Sequence, residues 1–370
     1  MIETQAAVAR PGVGAFTWET VQVEPPRADE VLVRIVAVGI CHTDLATRDG
    51  LLHTRLPAVL GHEGAGVVES VGAEVTRVRE GDAVLLTFSS CGRCRWCRSG
   101  HPAYCATFIP RNFDAARPDG STPFRDAGGE PLGGRFFGQS SFARRTVVDE
   151  RSVVPVDARD DEELALLAPL GCGIQTGVGA VLNELRPGGG AVVAVFGAGA
   201  VGLSAVLGAA LTQAGEIVAI DQHAARLDLA RRMGATATID TGEQDPLARL
   251  GELTGGRGVD RAVECSGVPA LLRWAVDSLS VGGEVGVVGA PPVGTDGTFD
   301  VNFLLNGRRI RGITEGDSDP EAFLPALVRQ HRSGRLPYDG MVRSYSADRI
   351  DAAAEDAATG QVLKPVLRFG

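Results

Sequence analysis

The chain has 370 residues, 44% of them hydrophobic and 22% charged, a composition that fits a soluble globular protein of two domains. A net charge of −10 argues against nucleic acid or an anionic membrane surface as the main partner, since both recruit basic patches. The first ten residues hold no basic segment followed by an apolar core, so a cytoplasmic location is expected, where clustered thiols are metal ligands more often than disulfides.

In chain order, the part up to about Val156 reads as short strands and loops, with β-rich runs at 31–40, 64–72 and 82–88. Residues 113–138 are rich in glycine, proline and charge and read as a long loop. From about Cys172 strands and helices alternate. Residues 191–199 enter a turn, 200–211 and 225–235 are helical, and 216–221, 258–267, 282–290 and 308–314 are strands. That alternation implies a doubly wound parallel sheet with helices on both faces. Beyond Glu315 come two helices, at 321–334 and 348–360, and a closing strand at 362–369. The uncharged window 187–215 is long enough to span a bilayer, but its glycine spacing favours a buried strand, turn and helix.

Four of the seven cysteines, Cys91, Cys94, Cys97 and Cys105, follow a Cys-x2-Cys-x2-Cys-x7-Cys spacing. Four thiolates fill a tetrahedral zinc site and leave no open position, so such a zinc is structural. The alternatives are an iron–sulfur cluster, whose usual run ends Cys-x3-Cys-Pro and is not matched here, and a disulfide pair.

Gly197, Gly199 and Gly202 form Gly-x-Gly-x-x-Gly directly after a strand and at the opening of a helix. Such glycines let the backbone approach a pyrophosphate at the helix N-terminus. Asp221 closes the next strand at the distance expected of a ribose-binding acid, which points to NAD rather than NADP.

Cys41, His62 and Cys172 supply two thiolates and an imidazole, the donor set of a catalytic zinc with an open fourth position. The segments around them, GICHTDL, LPAVLGHEGAGVVESVG and LGCGIQTGVGAV, together with FGAGAVG and LKPVLRF, resemble the zinc-dependent medium-chain alcohol dehydrogenases over essentially the whole chain. The tail resembles the aryl- (benzyl-) alcohol members.

The resemblance implies a β-rich GroES-like catalytic domain at 1–173 and 315–370, and a Rossmann NAD-binding domain at 174–314. It implies two zincs per subunit, and an active site between the domains. It makes Cys41, His62 and Cys172 the catalytic zinc ligands, with Glu63 beside the metal, Asp44 orienting the histidine and Thr43 bonding the substrate oxygen. It assigns His42, Thr176, Arg226 and Lys364 to the cofactor, and it implies a dimer or tetramer pairing near 303–312. Phe88, Leu51 and the loop around Phe108 are expected in the substrate pocket, and Cys265 in the core beside the cofactor. His53 and His101 are expected at the surface. Many relatives end a proton relay in a histidine where this chain has Ala46.

The expected reaction is reversible hydride transfer from a primary aromatic or allylic alcohol to NAD, giving the aldehyde. The alternatives are a thiol-adduct formaldehyde dehydrogenase and a non-catalytic nucleotide-binding protein on the same fold.

Overall fold

A computed structural model describes residues 1 to 370. They form two compact units, one of Met1–Cys172, Asp319–Val328 and Met341–Gly370, the other of Gly173–Ser318 and Arg329–Gly340. The return to the first unit thus starts at Asp319, and Arg329–Gly340 belongs with the second.

The first unit holds two sheets. Strands Ile2–Ala9 and Phe16–Val23 pair antiparallel and start a five-stranded sheet that the sequence reading does not single out. The second sheet has seven strands centred on Glu30–Gly39. One edge of that strand pairs with Glu63–Val71. Its other edge is shared, Arg145–Asp149 taking the first half and Lys364–Arg368 the end. Val31, Val33, Ile35 and Val38 are buried and anchor the core.

Residues 113–138 are not one loop. They contain a hairpin of Phe124–Arg125 with Pro131–Leu132, which extends the first sheet. Two arginines tie the segment to the core. The Arg117 Nε–H donates to Glu30 Oε1 at 2.7 Å, and Arg135 donates to Glu30 and, at 2.9 Å, to Asp149. All four of these side chains are buried, so each charge is held by a partner rather than by water.

The second unit carries a six-stranded parallel sheet. Strands Val192–Phe196, Glu216–Asp221, Ala237–Asp240, Val259–Glu264, Leu279–Val287 and Arg309–Gly312, numbered one to six, lie in the order 3-2-1-4-5-6. That is the dinucleotide-binding order, with its switch point beside the first strand. Helices Ala200–Ala210, Ala224–Arg232, Pro246–Thr254 and Pro269–Asp277 fill the connections. The sequence reading singles out neither the third strand nor the last two helices, although both helices are amphipathic and start on a proline at their first turn. The window 187–215 becomes the first strand and a helix, and no single helix in the chain is long and apolar enough to cross a membrane.

Candidate active site

Three segments of the first unit converge on one point. Cys41 precedes the short helix His42–Arg48, His62 precedes strand Glu63–Val71, and Cys172 follows the turn Ala168–Gly171. One ligand atom from each of Cys41, His62, Glu63 and Cys172 lies within 4.8 Å of the others.

Asp44, fully buried, organises the first two segments. Its Oδ2 accepts the Cys41 N–H at 3.0 Å, capping the helix, while Oδ1 accepts the Gly61 N–H at 3.1 Å and meets His62 Nδ1 at 2.9 Å. A carboxylate on Nδ1 selects the tautomer whose Nε2 lone pair is free. That Nε2 is buried without any hydrogen-bond partner. A buried acceptor without a donor is costly, and a metal cation beside two thiols satisfies it.

The electrostatics agree. The Cys41 thiol lies well below its ordinary range because of its hydrogen bond to Cys172 and the nearby His62, with burial opposing. Burial lowers the His62 pKa, but Asp44 and Cys41 outweigh it and raise it well above the usual value. The same anionic neighbours favour a cation at this point.

Glu63 and Lys364 sit side by side because both flanking strands meet Gly39. In register, Gly39 pairs with Glu63 on one side and Val366 on the other. A Cβ on Gly39 would lie 2.0 Å from Glu63 Oε2, so only glycine leaves room. Lys364, the single lysine of the chain, is buried and donates to Glu63 Oε1 at 2.8 Å and Oε2 at 3.0 Å. Burial pulls the Lys364 ammonium down, yet Glu63 and Cys41 push it above its ordinary value; burial also pushes the Glu63 carboxyl up. The resemblance assigns this lysine to a pyrophosphate; here its ammonium faces the acid next to His62.

Thr43 Oγ1 is 3.7 Å from Cys41 Sγ, His42 is exposed, and Ala46 is buried. Aromatic rings crowd the histidine. Phe137 stacks on His62 at 4.4 Å and 23°, and Phe136 meets it edge-on at 5.6 Å. Phe113 and Phe108 pack on Phe137, and Phe88 packs on Phe108. Of these, the sequence reading picks out Phe88 and Phe108. Phe136 and Phe137 are missed because nothing in FFG marks an approach to His62. Leu51 is 60% exposed.

Cys91, Cys94, Cys97 and Cys105 form the second cluster, with Sγ–Sγ contacts of 3.5 Å between Cys94 and Cys97 and 3.9 Å between Cys91 and Cys97. Backbone N–H groups point at the sulfurs: Cys94 at Cys91 (3.3 Å), Cys91 at Cys105 (3.2 Å) and Ala106 at Cys94 (3.5 Å). Donors from Cys97 and Ala106 bring the Cys94 thiol down to about 6, while burial and its neighbour Cys94 push Cys97 up to about 12. The set fits a closed four-thiolate site. All seven cysteines are free of disulfides. His53 is exposed, whereas His101 is half-buried and stacks on Tyr104 at 6.3 Å, which corrects its expected surface position.

In the second unit Gly197 has φ +91°, Gly199 starts the helix with open space at its Cβ position, and a Cβ on Gly202 would lie 1.8 Å from the Gly197 carbonyl. Asp221 Oδ2 accepts the Ala198 N–H at 2.7 Å and Oδ1 the His223 N–H at 2.9 Å, which fixes the carboxylate against the glycine turn. Arg226 is 3.7 Å from it. These residues form a cradle that fits a dinucleotide. The Thr176 hydroxyl donates to Glu315 at 3.3 Å. Cys265 is half-buried just past the fourth strand, and burial raises its thiol pKa.

Residues 27–158 match the alcohol dehydrogenase GroES-like domain, and residues 200–329 match the zinc-binding dehydrogenase family. Geraniol dehydrogenase from Castellaniella defragrans is 43% identical over 371 residues, which is 100% of this chain and 98% of that one. The chain belongs to the zinc-dependent medium-chain alcohol dehydrogenases. The crystal structure of benzyl alcohol dehydrogenase from Acinetobacter calcoaceticus superposes on this alcohol dehydrogenase with a TM-score of 0.95 at 42% identity, covering 100% of both chains. An alcohol dehydrogenase zinc-binding domain protein from Burkholderia ambifaria reaches a TM-score of 0.97 at 50% identity, covering 100% of this chain and 99% of that one. The GroES-like domain and the doubly wound parallel-sheet domain expected from the sequence are thus present, and the enzyme is an alcohol oxidoreductase. The non-catalytic alternative falls.

Proposed function

We propose that the enzyme oxidises primary aromatic or allylic alcohols to aldehydes, reversibly, with NAD as hydride acceptor. A catalytic zinc is held by Cys41, His62 and Cys172 and a structural zinc by Cys91, Cys94, Cys97 and Cys105. The observation that carries this is the unpartnered His62 Nε2 facing two thiols inside a shell of phenylalanines. Planar, unsaturated substrates gain from stacked and edge-on aromatic contacts that saturated chains do not.

When bound, zinc supplies a Lewis acid that makes an oxygen ligand acidic, and NAD supplies the hydride acceptor. The chain's residues do the rest. Asp44 fixes the His62 ring, Thr43 Oγ1 accepts the hydrogen bond of the substrate hydroxyl and relays its proton by releasing its own toward water, and the phenylalanines exclude water from the ring of His62. Glu63 stands beside the ligands as an acid restrained by Lys364. The glycine turn and the helix N-terminus hold the pyrophosphate, Asp221 binds the ribose hydroxyls, and His42, Thr176 and Arg226 add contacts to the cofactor, while Lys364 stays with Glu63. The relay from Thr43 does not end at position 46, because an alanine accepts no proton.

The seven free thiols suit a reducing cytoplasm. The exposed edge strand Arg309–Gly312, with Val301 and Leu305 exposed nearby, suits pairing of subunits into a dimer or tetramer.

The test is NAD reduction across benzyl, allyl, aliphatic and polyol alcohols and a formaldehyde–thiol adduct, with metal analysis. The reading expects benzyl and allyl alcohols to lead and two zincs per chain. Preference for the thiol adduct, or one metal per chain, would overturn it.

A further inference from the structure

We infer that the tight turn at residues 135–140 is a buttress for the metal-binding strand, and that Gln139 is its positioning residue. This rests on the reading of Cys41, His62 and Cys172 as a zinc site.

Gln139 is fully buried. Its Nε2 donates to the His62 carbonyl at 2.9 Å and to the Thr87 carbonyl at 3.1 Å. Its Oε1 accepts the Gly64 N–H at 3.1 Å and the Ser141 hydroxyl at 3.0 Å. A carboxamide offers two donors and two lone pairs, so its whole capacity is used. The His62 carbonyl and Gly64 N–H bracket residue 63, so one side chain clamps the backbone that carries His62 and Glu63. The clamp reaches a second ligand through Thr87, whose hydroxyl donates to the Gly171 carbonyl at 2.7 Å, in the peptide just before Cys172. Asp44 joins Cys41 to His62; Gln139 and Thr87 join His62 to Cys172. All three ligands are then fixed by buried side chains from outside the donor set.

The turn is built for this. Arg135 (φ 80°), Phe137 (51°) and Ser140 (54°) are left-handed without being glycine. Such residues persist only where their surroundings over-determine them, and they cluster at functional sites. Here the Ser140 hydroxyl accepts the Phe136 N–H at 2.9 Å and donates to the Val59 carbonyl at 2.6 Å, and Thr146 donates to the Gln139 carbonyl. The outcome is that Phe137 lies on the His62 ring while Gln139 holds the His62 backbone. Ring and main chain of one ligand are gripped by one turn.

The experiment compares wild type with Gln139→Leu, using cobalt-exchanged enzyme and timed metal release to a chelator. The four-cysteine site in the same unit is the internal control. Outer partners of metal ligands are worth about 10–100-fold in metal affinity. The expected result is loss of the Cys41–His62–Cys172 ion faster by that factor, a shifted cobalt spectrum, and an unchanged rate at the other cluster. Gln139→Glu keeps the size and both acceptor contacts but lacks the donors; it should show the same selective loss and serves if the leucine variant does not fold. Thr87→Val should move the same way by less. Unchanged release from both sites, or equal acceleration of both, overturns the proposal. A wild type without any cobalt signature at this site would instead refute the zinc reading itself.

Discussion

The two cysteine clusters of the first unit need very different amounts of folding. Cys91, Cys94, Cys97 and Cys105 lie within residues 91–105 and are arranged by turns and by backbone N–H groups of that stretch and of the adjoining Ala106. Cys41, His62 and Cys172 come from three distant segments and meet only because the seven-stranded sheet brings them together. The first cluster offers four thiols and no other donor, a closed set. The second leaves an imidazole nitrogen unsatisfied. A site that organises itself is suited to structure; a site held by the whole unit can keep a position open for chemistry.

Substitution of one cysteine in each cluster should separate them most sharply. Cys172→Ser is expected to abolish alcohol oxidation while leaving a folded chain with one zinc. Cys94→Ser is expected to lower the thermal midpoint strongly, because binding free energy at a structural zinc is folding free energy. The comparison breaks if zinc analysis and melting curves show the reverse pattern.

Next in size is the buried pair below the dispersed site. Lys364→Met strands Glu63 without its cation, and removing one partner of a buried ion pair costs about 3–5 kcal/mol. Denaturant melts should show that loss. A variant as stable as wild type would mean that Glu63 is held by something other than Lys364.

Asp221→Ser addresses the second unit, where a local motif and a distant carboxylate also combine. NAD should lose efficiency and NADP gain it, each 1.4 kcal/mol of lost discrimination being about tenfold. Steady-state ratios with both cofactors decide. Equal use of both by the wild type would remove Asp221 from the site.

Acid tests the network that anchors residues 113–138. Burial would raise Glu30, but hydrogen bonds from Arg117 and the charge of Arg135 hold it below the ordinary carboxylate range. Its folded value is below its unfolded one, so its stabilisation is complete above about pH 4.3, the unfolded value, and is lost as pH falls through the folded value. Melting temperature should drop from pH 5 to pH 3, and less steeply in Glu30→Gln. Parallel slopes would exclude Glu30 as the titrating group.

The smallest effect is expected at Ala46. Ala46→His introduces an imidazole with a pKa of about 6.5 and should add that ionisation to the pH profile of alcohol oxidation. If the wild type already shows it and the variant changes nothing, another group, His42 for instance, closes the relay.

Much of this was legible in the chain. The cysteine run, the glycine turn with Asp221, and the alternation of strands and helices are local patterns, and local patterns survive without tertiary contacts. The resemblance supplied Cys41, His62 and Cys172. The hairpin in residues 113–138 was hidden because its strands are two residues long and bounded by turn residues. Gln139, Phe136 and Phe137 were hidden because their roles depend on backbone φ values and on partners far away in sequence.

From the sequence alone come the close grouping of four thiols and the glycine turn after a strand, since spacing along the chain sets both geometries. Tertiary structure was needed to settle which acid the one lysine meets. Glu63 and Lys364 lie on different strands that flank the same Gly39, and the missing side chain there leaves room for the ion pair. No one-dimensional spacing encodes that, because register between strands is fixed by the packing of a shared core.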